Sequence, residues 1–309
     1  MHAEDQTCWA LVGPTASGKS AVALELGRTH DVEIVSVDSM QVYRGMDIGT
    51  AKPTPEERAA VPHHMIDVLD PDQRCNVARF RRMAMDCIRD VWARGCRPLL
   101  VGGSAMYLKG LLWGLMEAPP RDPDLRRRLR EEYDELGADA MHARLAELDP
   151  EAAERIHPND VQRLVRALEV CRLTGEPISE GQDQFEGEPQ LDHLMVGLRR
   201  PRAELYERIN RRVDRMMEEG LQQEVRRLRT RLGPQASQAV GYKELIEYMD
   251  GHIDRQEAVR RIKRNTRRYA KHQMTWFRHF PRLRWLDVGA SETAAQVAAR
   301  CADVFNSHA

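Results

Sequence analysis

Short apolar runs of strand length recur along the chain: CWALVG from Cys8, EIVSVDS from Glu33, RPLLVGGS from Arg97, HLMVGLRR from His193 and RLRWLDVG from Arg282. Between the first three the apolar residues take helical spacing, from Lys19 to Arg28 and from Val77 to Arg94. Strands that alternate with helices predict an α/β fold, a doubly wound parallel sheet flanked by helices. From about Ala118 to Gln190 the pattern changes: DPDLRRRLREEYDELG, ADAMHARLAELD and NDVQRLVRALEVCRLTG read as charged helices with no strand among them. The chain is therefore expected to divide into a core, residues 1–117 and 191–309, and a helical insertion domain, residues 118–190. The exit of the insertion, SEGQDQFEGEPQ, is polar and glycine-rich and reads as a mobile connector.

The 309 residues are 42% hydrophobic and 31% charged, enough for one sizeable core and a smaller appended domain. There is no apolar run of membrane-spanning length, and the first residues, MHAEDQTCWALVGP, carry acids where a secretory signal carries a basic region. A cytoplasmic protein with no membrane partner is expected, acting as a monomer. Cys8, Cys75, Cys87, Cys96, Cys171 and Cys301 form no CxxC pair, so neither a zinc site nor a disulfide framework is suggested. His63 and His64 make no metal pattern with nearby acids and read as structural.

Net charge is only −1, but its distribution changes the picture. From Ala258 to Trp285 the chain holds ten Lys or Arg, no acid, and five interleaved aromatics, Tyr269, Trp276, Phe277, Phe280 and Trp285. Such a stripe attracts phosphate and offers rings for base stacking; a solvated helix face with its aromatics in the core is the alternative.

The most specific local signal is Gly13-Pro14-Thr15-Ala16-Ser17-Gly18-Lys19-Ser20, which matches GxxxxGK[ST] between a predicted strand and a predicted helix. Glycines let backbone amides converge on phosphate, the helix N-terminus adds positive potential, Lys19 neutralises charge, and Ser20 offers a hydroxyl to Mg²⁺. This is a nucleotide-binding type of loop, the ATP-binding motif of kinases, but it does not establish hydrolysis. The third predicted strand ends Val101-Gly102-Gly103-Ser104 without the acid a hydrolytic motor uses. The acid lies instead at Asp38, after the second strand, where it suits a substrate-facing carboxylate.

Seven ordered motifs carry a family likeness: GPTASGKS, DSMQVYRGMDIGTAKP, HHMIDVLDP, ARFRR, LLVGGSAMY, QRLVRALEV and QAVGYKE. Together they resemble the bacterial transfer-RNA dimethylallyltransferases, over Cys8 to Pro281. The resemblance implies a P-loop kinase-like core with a helical insertion domain that contacts transfer RNA. It implies a prenyltransferase that moves a dimethylallyl group from dimethylallyl diphosphate to N6 of the adenosine 3′-adjacent to the anticodon, with release of diphosphate. By similarity, Gly13 to Ser20 bind the donor with Mg²⁺, and Asp38, Ser39, Met40 and Gln41 face the acceptor base. Ser104 stands where the family usually has threonine, at the donor–acceptor junction, and Arg212 matches an arginine on the diphosphate. Arg126, Gln162, Arg163, Leu164, Val165 and Arg166 correspond to places that grip transfer RNA, as do Gln238, Ala239, Val240, Gly241, Tyr242 and Lys243. The zinc-finger extension of eukaryotic relatives is not expected.

That reaction is a substitution at carbon in which diphosphate leaves and positive charge spreads over the allyl fragment. The leaving group needs cations and N–H donors, a task for Lys19, Ser20, Mg²⁺, the loop amides and Arg212. The adenine amine is a poor nucleophile and needs a base, for which Asp38 is the candidate; a helix N-cap or a metal-ordering carboxylate is the other reading of Asp38. The base must leave the RNA stack to reach the donor, and a loop base does so more cheaply than a paired one. For Arg163 and Arg166 an exposed helix face is the alternative. Two rivals remain at this stage, a small-molecule kinase using ATP and an RNA-binding protein with a nucleotide-controlled switch.

Overall fold

A computed structural model of the chain describes residues 6–114, 119, 122–180 and 187–307. The six residues 181–186, within the predicted connector, lie outside this set. Six strands form one sheet: β1 (Cys8–Val12), β2 (Val32–Val37), β3 (His63–His64), β4 (Arg97–Gly102), β5 (His193–Arg199) and β6 (Arg284–Asp287). Their order is β3-β2-β4-β1-β5-β6 and every pairing is parallel. The helices are α1 (Lys19–Thr29), α2 (Pro55–Ala60), α3 (Val77–Ala93), α4 (Ala105–Trp113), α5 (Pro123–Leu136), α6 (Ala138–Leu148), α7 (Pro150–Arg155), α8 (Val161–Thr174), α9 (Arg202–Glu218), α10 (Leu221–Leu228), α11 (Tyr242–Met249), α12 (Arg255–Phe277) and α13 (Ala294–Asn306). The chain separates into two compact units, Met1–Leu112 with Leu191–Ala309, and Trp113–Gln190.

In the first unit the central strands are wholly buried, which is why they read as continuous apolar runs rather than as alternation. Val22, Ala23 and Leu26 of α1 and Val297, Cys301 and Phe305 of α13 join Trp9 and Leu11 of β1 in one apolar cluster. Trp9 stacks on Phe305 with ring centroids 4.6 Å apart. α3 buries Phe80, Ala84, Ile88 and Val91, one stripe of an amphipathic helix capped by Asn76. The edge strand β3 is only two residues long, and Glu33 of β2 ties it down by accepting from His64 Nε2 at 2.6 Å and from both Nε and Nη2 of Arg94. No helix among the described residues is long and apolar enough to cross a membrane.

The loop after β2 is pinned from beneath. Glu224 of α10 is buried and accepts the amides of Asp47, Ile48 and Gly49 at 2.8–3.0 Å, together with the Tyr242 hydroxyl at 2.5 Å. Lys52 adds bonds to the Tyr43 carbonyl and to Asp47 and Asp67. Glu224→Ala removes the acceptor of three part-buried amides and of the buried Tyr242 hydroxyl; at about 1–3 kcal/mol for a buried group left unpaired and less for those that water reaches, a loss of roughly 3–5 kcal/mol in denaturant unfolding is expected. A loss below about 1 kcal/mol would mean that water replaces the carboxylate there.

The second unit is helical. α5, α6, α7 and α8 pack around Leu129, Met141, Leu145, Leu164, Val165 and Leu168. Buried Asp149 caps α7 through the Ala152 amide at 2.9 Å and holds Ser179 by both its amide and its hydroxyl.

Candidate active site

Parallel α/β sheets bind ligands at the carboxyl ends of their strands, and three adjacent ends converge here, those of β1, β4 and β2. β1 turns into the phosphate loop at Gly13, whose φ of +148° and whose approach to β5 leave no room for a side chain; a Cβ there would lie 2.8 Å from the Leu198 carbonyl oxygen. Ala16 holds φ at +65°, a left-handed conformation that costs a non-glycine residue roughly 1–2 kcal/mol. The loop's carbonyls are drawn away by cations: Lys19 Nζ donates to Pro14 O at 3.3 Å, Arg208 Nε to Ala16 O at 2.9 Å and Arg200 Nε to Ser17 O at 2.9 Å. Arg212 Nη1 donates to Thr15 Oγ1 at 3.1 Å. The first amides of α1, which have no acceptor within the helix, are left facing outward.

The result is a crowd of positive charge only partly offset by acids. Burial, then Arg212, push the Lys19 ammonium down to about 8, against a smaller opposing pull from Asp38. Burial, then Arg208 and Arg215, press the Arg212 guanidinium in the same direction. Groups held away from their ordinary pKa by burial and like charge mark a place where an anion would relieve the repulsion.

On the acceptor side Asp38 follows β2 in a turn, not at a helix start: its Oδ1 accepts the Met40 amide at 2.8 Å and the Gln41 amide at 3.2 Å. Ser104, just beyond β4, accepts the Ser39 amide on its Oγ at 3.1 Å. Gln41 is spent inside the protein, accepting from Ser36 and donating to the carbonyls of Thr50 and Ala51. Tyr269 of α12 reaches the same junction, its phenol beside the Asp38 charge and hydrogen-bonded with Ser104 and Gln273.

The stretches expected to grip RNA split by helix geometry. In α8, Gln162 and Arg163 are exposed, whereas Leu164 and Val165 are wholly buried in the helical core. Arg126 and Arg166 come together on Glu169, a buried carboxylate they meet at 2.9 and 2.7 Å, which also accepts the Asp122 amide. In the other stretch Gln238 and Lys243 are exposed, Val240 is half-buried, and Ala239, Gly241 and Tyr242 are inside. On α12, Arg260 and Arg261 pair with Glu257 and Lys263 with Asp214. Arg264, Arg268 and Lys271 lie three and four residues apart on one exposed face and form no ion pair among the described residues. Trp276 and Tyr269, about two-fifths exposed, lie on the same helix.

Sequence reasoning missed Arg200, Arg208 and Gln273. Arg208 stands one helical turn before Arg212, and Gln273 interrupts the buried series Ile262, Ala270, Phe277 of α12; both spacings were visible.

Compared with known proteins, residues 41–280 match the sequence model of the IPP transferase family, and residues 6–67 that of isopentenyl transferase. The chain is 50% identical over 285 residues to the tRNA dimethylallyltransferase of Symbiobacterium thermophilum, covering 91% of this chain and 89% of that one. It is 48% identical over 290 residues to that of Shouchella clausii, covering 93% of each. The crystal structure of a tRNA isopentenylpyrophosphate transferase from Bacillus halodurans aligns with TM-score 0.70 and 41% identity over 98% of this chain and 97% of that one. A eukaryotic dimethylallyltransferase captured acting on tRNA aligns with TM-score 0.77 and 27% identity over 98% of this chain and 77% of that one.

Proposed function

Because this chain belongs to the IPP transferase family and is thereby a prenyltransferase acting on transfer RNA, we propose that it moves a dimethylallyl group from dimethylallyl diphosphate to N6 of the adenosine 3′-adjacent to the anticodon. The observation that carries this reading is the set of three neighbouring strand ends: a phosphate loop after β1 lined by cations such as Arg212, Ser104 after β4 and Asp38 after β2, the last two joined by the Ser39 amide on the Ser104 hydroxyl.

In this reading the diphosphate lies against the loop amides and the α1 N-terminus, with Lys19 and Arg212 on its oxygens. Both cations are held where charge develops as the carbon–oxygen bond breaks, so they stabilise the transition state more than the bound donor. The fork of Arg212 suits two phosphate oxygens at once. Asp38 receives a proton from the adenine amine as the carbon–nitrogen bond forms. One carboxylate oxygen is fixed by two backbone amides, which leaves the other to face the base.

The family's chemistry calls for a divalent metal, and Mg²⁺ is the proposed one. The Ser20 hydroxyl, exposed at the start of α1, and the half-buried Asp38 carboxylate offer the hard oxygen donors such an ion accepts, the diphosphate and water completing its shell. When bound, Mg²⁺ neutralises charge on the leaving group.

Transfer RNA is proposed to lie against the unpaired face of α12, with Arg126, Arg163, Arg166, Gln238 and Lys243 as further RNA-facing residues. Neutralising Arg264, Arg268 and Lys271 together is expected to flatten the slope of log affinity against log salt by roughly 0.7 for each single-strand phosphate that the variant no longer neutralises. An unchanged slope in filter-binding titrations would assign that face to solvent. Incubation with labelled dimethylallyl diphosphate and unmodified transfer RNA, and separately with labelled ATP, tests the whole reading: label must enter RNA from the first only. Label moving from ATP would favour a kinase.

A further inference from the structure

Gln273 lies at the centre of the site and has no part in the chemistry so far. It is 5% exposed, on the buried side of α12, among residues that are otherwise apolar. A primary amide in such a place is costly unless both ends are bonded, and here both are. Its Oε1 accepts the Thr15 amide at 2.8 Å and its Nε2 donates to the Gly103 carbonyl at 2.9 Å. Gly103 is shaped to it, since a Cβ at that position would lie 2.1 Å from Nε2.

The two groups it joins belong to the two halves of the reaction. Thr15 is in the phosphate loop, with its hydroxyl held by Arg212. Gly103 precedes Ser104, whose hydroxyl accepts the Ser39 amide next to Asp38. One bonded chain therefore runs from the phosphate loop through Gln273 to the end of β4 and on to the loop that carries Asp38. Because the Thr15 amide is occupied, Gln273 also decides which amides of the loop are left for phosphate. We propose that Gln273 is a positioning residue that sets the distance between the donor diphosphate and the acceptor-side carboxylate. This rests on the functional reading above. In a substitution at carbon, the leaving oxygen, the carbon and the incoming nitrogen must line up, and a misplacement of about 1 Å costs on the order of 10² in rate.

The test uses the full-length enzyme with Gln273→Ala and Gln273→Glu. The second is isosteric: one oxygen still accepts from Thr15 while the other faces the Gly103 carbonyl with no proton to donate. Single-turnover transfer at saturating donor, RNA and Mg²⁺ is expected to fall by about 10- to 100-fold in both, with RNA affinity within twofold of the parent; Tm falls as well, since the Thr15 amide or the Gly103 carbonyl loses its partner, so the rates are compared well below each variant's Tm. Ser104→Ala breaks the same chain, so adding it to Gln273→Ala should lower the rate little beyond the slower single variant. Rates within threefold of the parent, or losses that multiply in the double variant, would overturn the proposal. If the alanine variant fails to fold, the glutamate variant decides alone. If the parent transfers no prenyl group, the functional reading has failed, and magnesium pyrophosphate titrated calorimetrically into parent and Gln273→Glu decides about Gln273. A loop out of register with a carboxylate behind it should bind at least about tenfold more weakly, and equal affinity would overturn the role.

Discussion

Lys19→Met will lower single-turnover transfer by roughly 10²- to 10³-fold at saturating donor and RNA, the range seen when one preorganised donor to developing negative charge is removed. The same substitution will raise the Tm of the ligand-free protein. Burial and Arg212 hold the folded Lys19 at about 8, below its ordinary 10.5, so the unfolded chain binds the proton more tightly. That cost is fully present below about pH 8 and fades as pH climbs from 8 toward 10.5, where the folded side chain is already neutral. Methionine keeps the stem and removes the charge, and with it the cost. A bound diphosphate reverses the balance by supplying the missing anion. Donor affinity should therefore weaken as pH rises through about 8 in the parent and change much less in Lys19→Met. Calorimetric titration of pyrophosphate from pH 7 to 9.5, with scanning calorimetry of the free proteins, checks both. Near-normal turnover in the variant, or a lowered Tm, would remove Lys19 from this role. Arg212→Ala should lose turnover similarly, because it removes both a cation and the bond that orients Thr15.

The contrast between Lys19 and Gln273 shows what the sequence could and could not disclose. Lys19 was legible because its whole environment is local: a strand, a loop of fixed length and a helix, all within a few residues. The strands β1, β2, β4, β5 and β6 were legible for the same reason, as apolar runs that end at glycine or polar residues. β3 was not, because His63 and His64 are strand only by virtue of pairing with Ile34 and Val35. α7 was hidden behind Pro150, which reads as a break yet sits at the first helical position after the Asp149 cap, where proline is welcome. Gln273 finds its partners 258 and 170 residues away, and no local pattern announces them. Tyr242 illustrates the opposite difficulty. QAVGYKE is contiguous in sequence, but the turn into α11 sends Lys243 outward and Tyr242 inward to Glu224, so a motif read as one surface divides between surface and core.

Asp38→Asn carries the most weight for the chemistry. The variant preserves the oxygen that accepts the Met40 and Gln41 amides, so the turn after β2 should stand and Tm should hardly move. What disappears is the negative charge and the capacity to take a proton from the adenine amine. Donor and RNA should still bind, while single-turnover transfer slows by about 10² to 10⁴, the range for general-base assistance. A helix-capping role is already disfavoured by the structure, since a turn follows Asp38 rather than a helix. A metal-ordering role predicts something different, a deficit that shrinks as Mg²⁺ is raised, because asparagine remains an oxygen ligand of lower affinity. The decisive measurement is therefore the single-turnover rate of Asp38→Asn at saturating donor and RNA across a Mg²⁺ series. A large loss independent of Mg²⁺ supports the base. Recovery with Mg²⁺ assigns Asp38 to the metal, and a rate within a few-fold of the parent throughout passes the proton to a water or to the departing diphosphate.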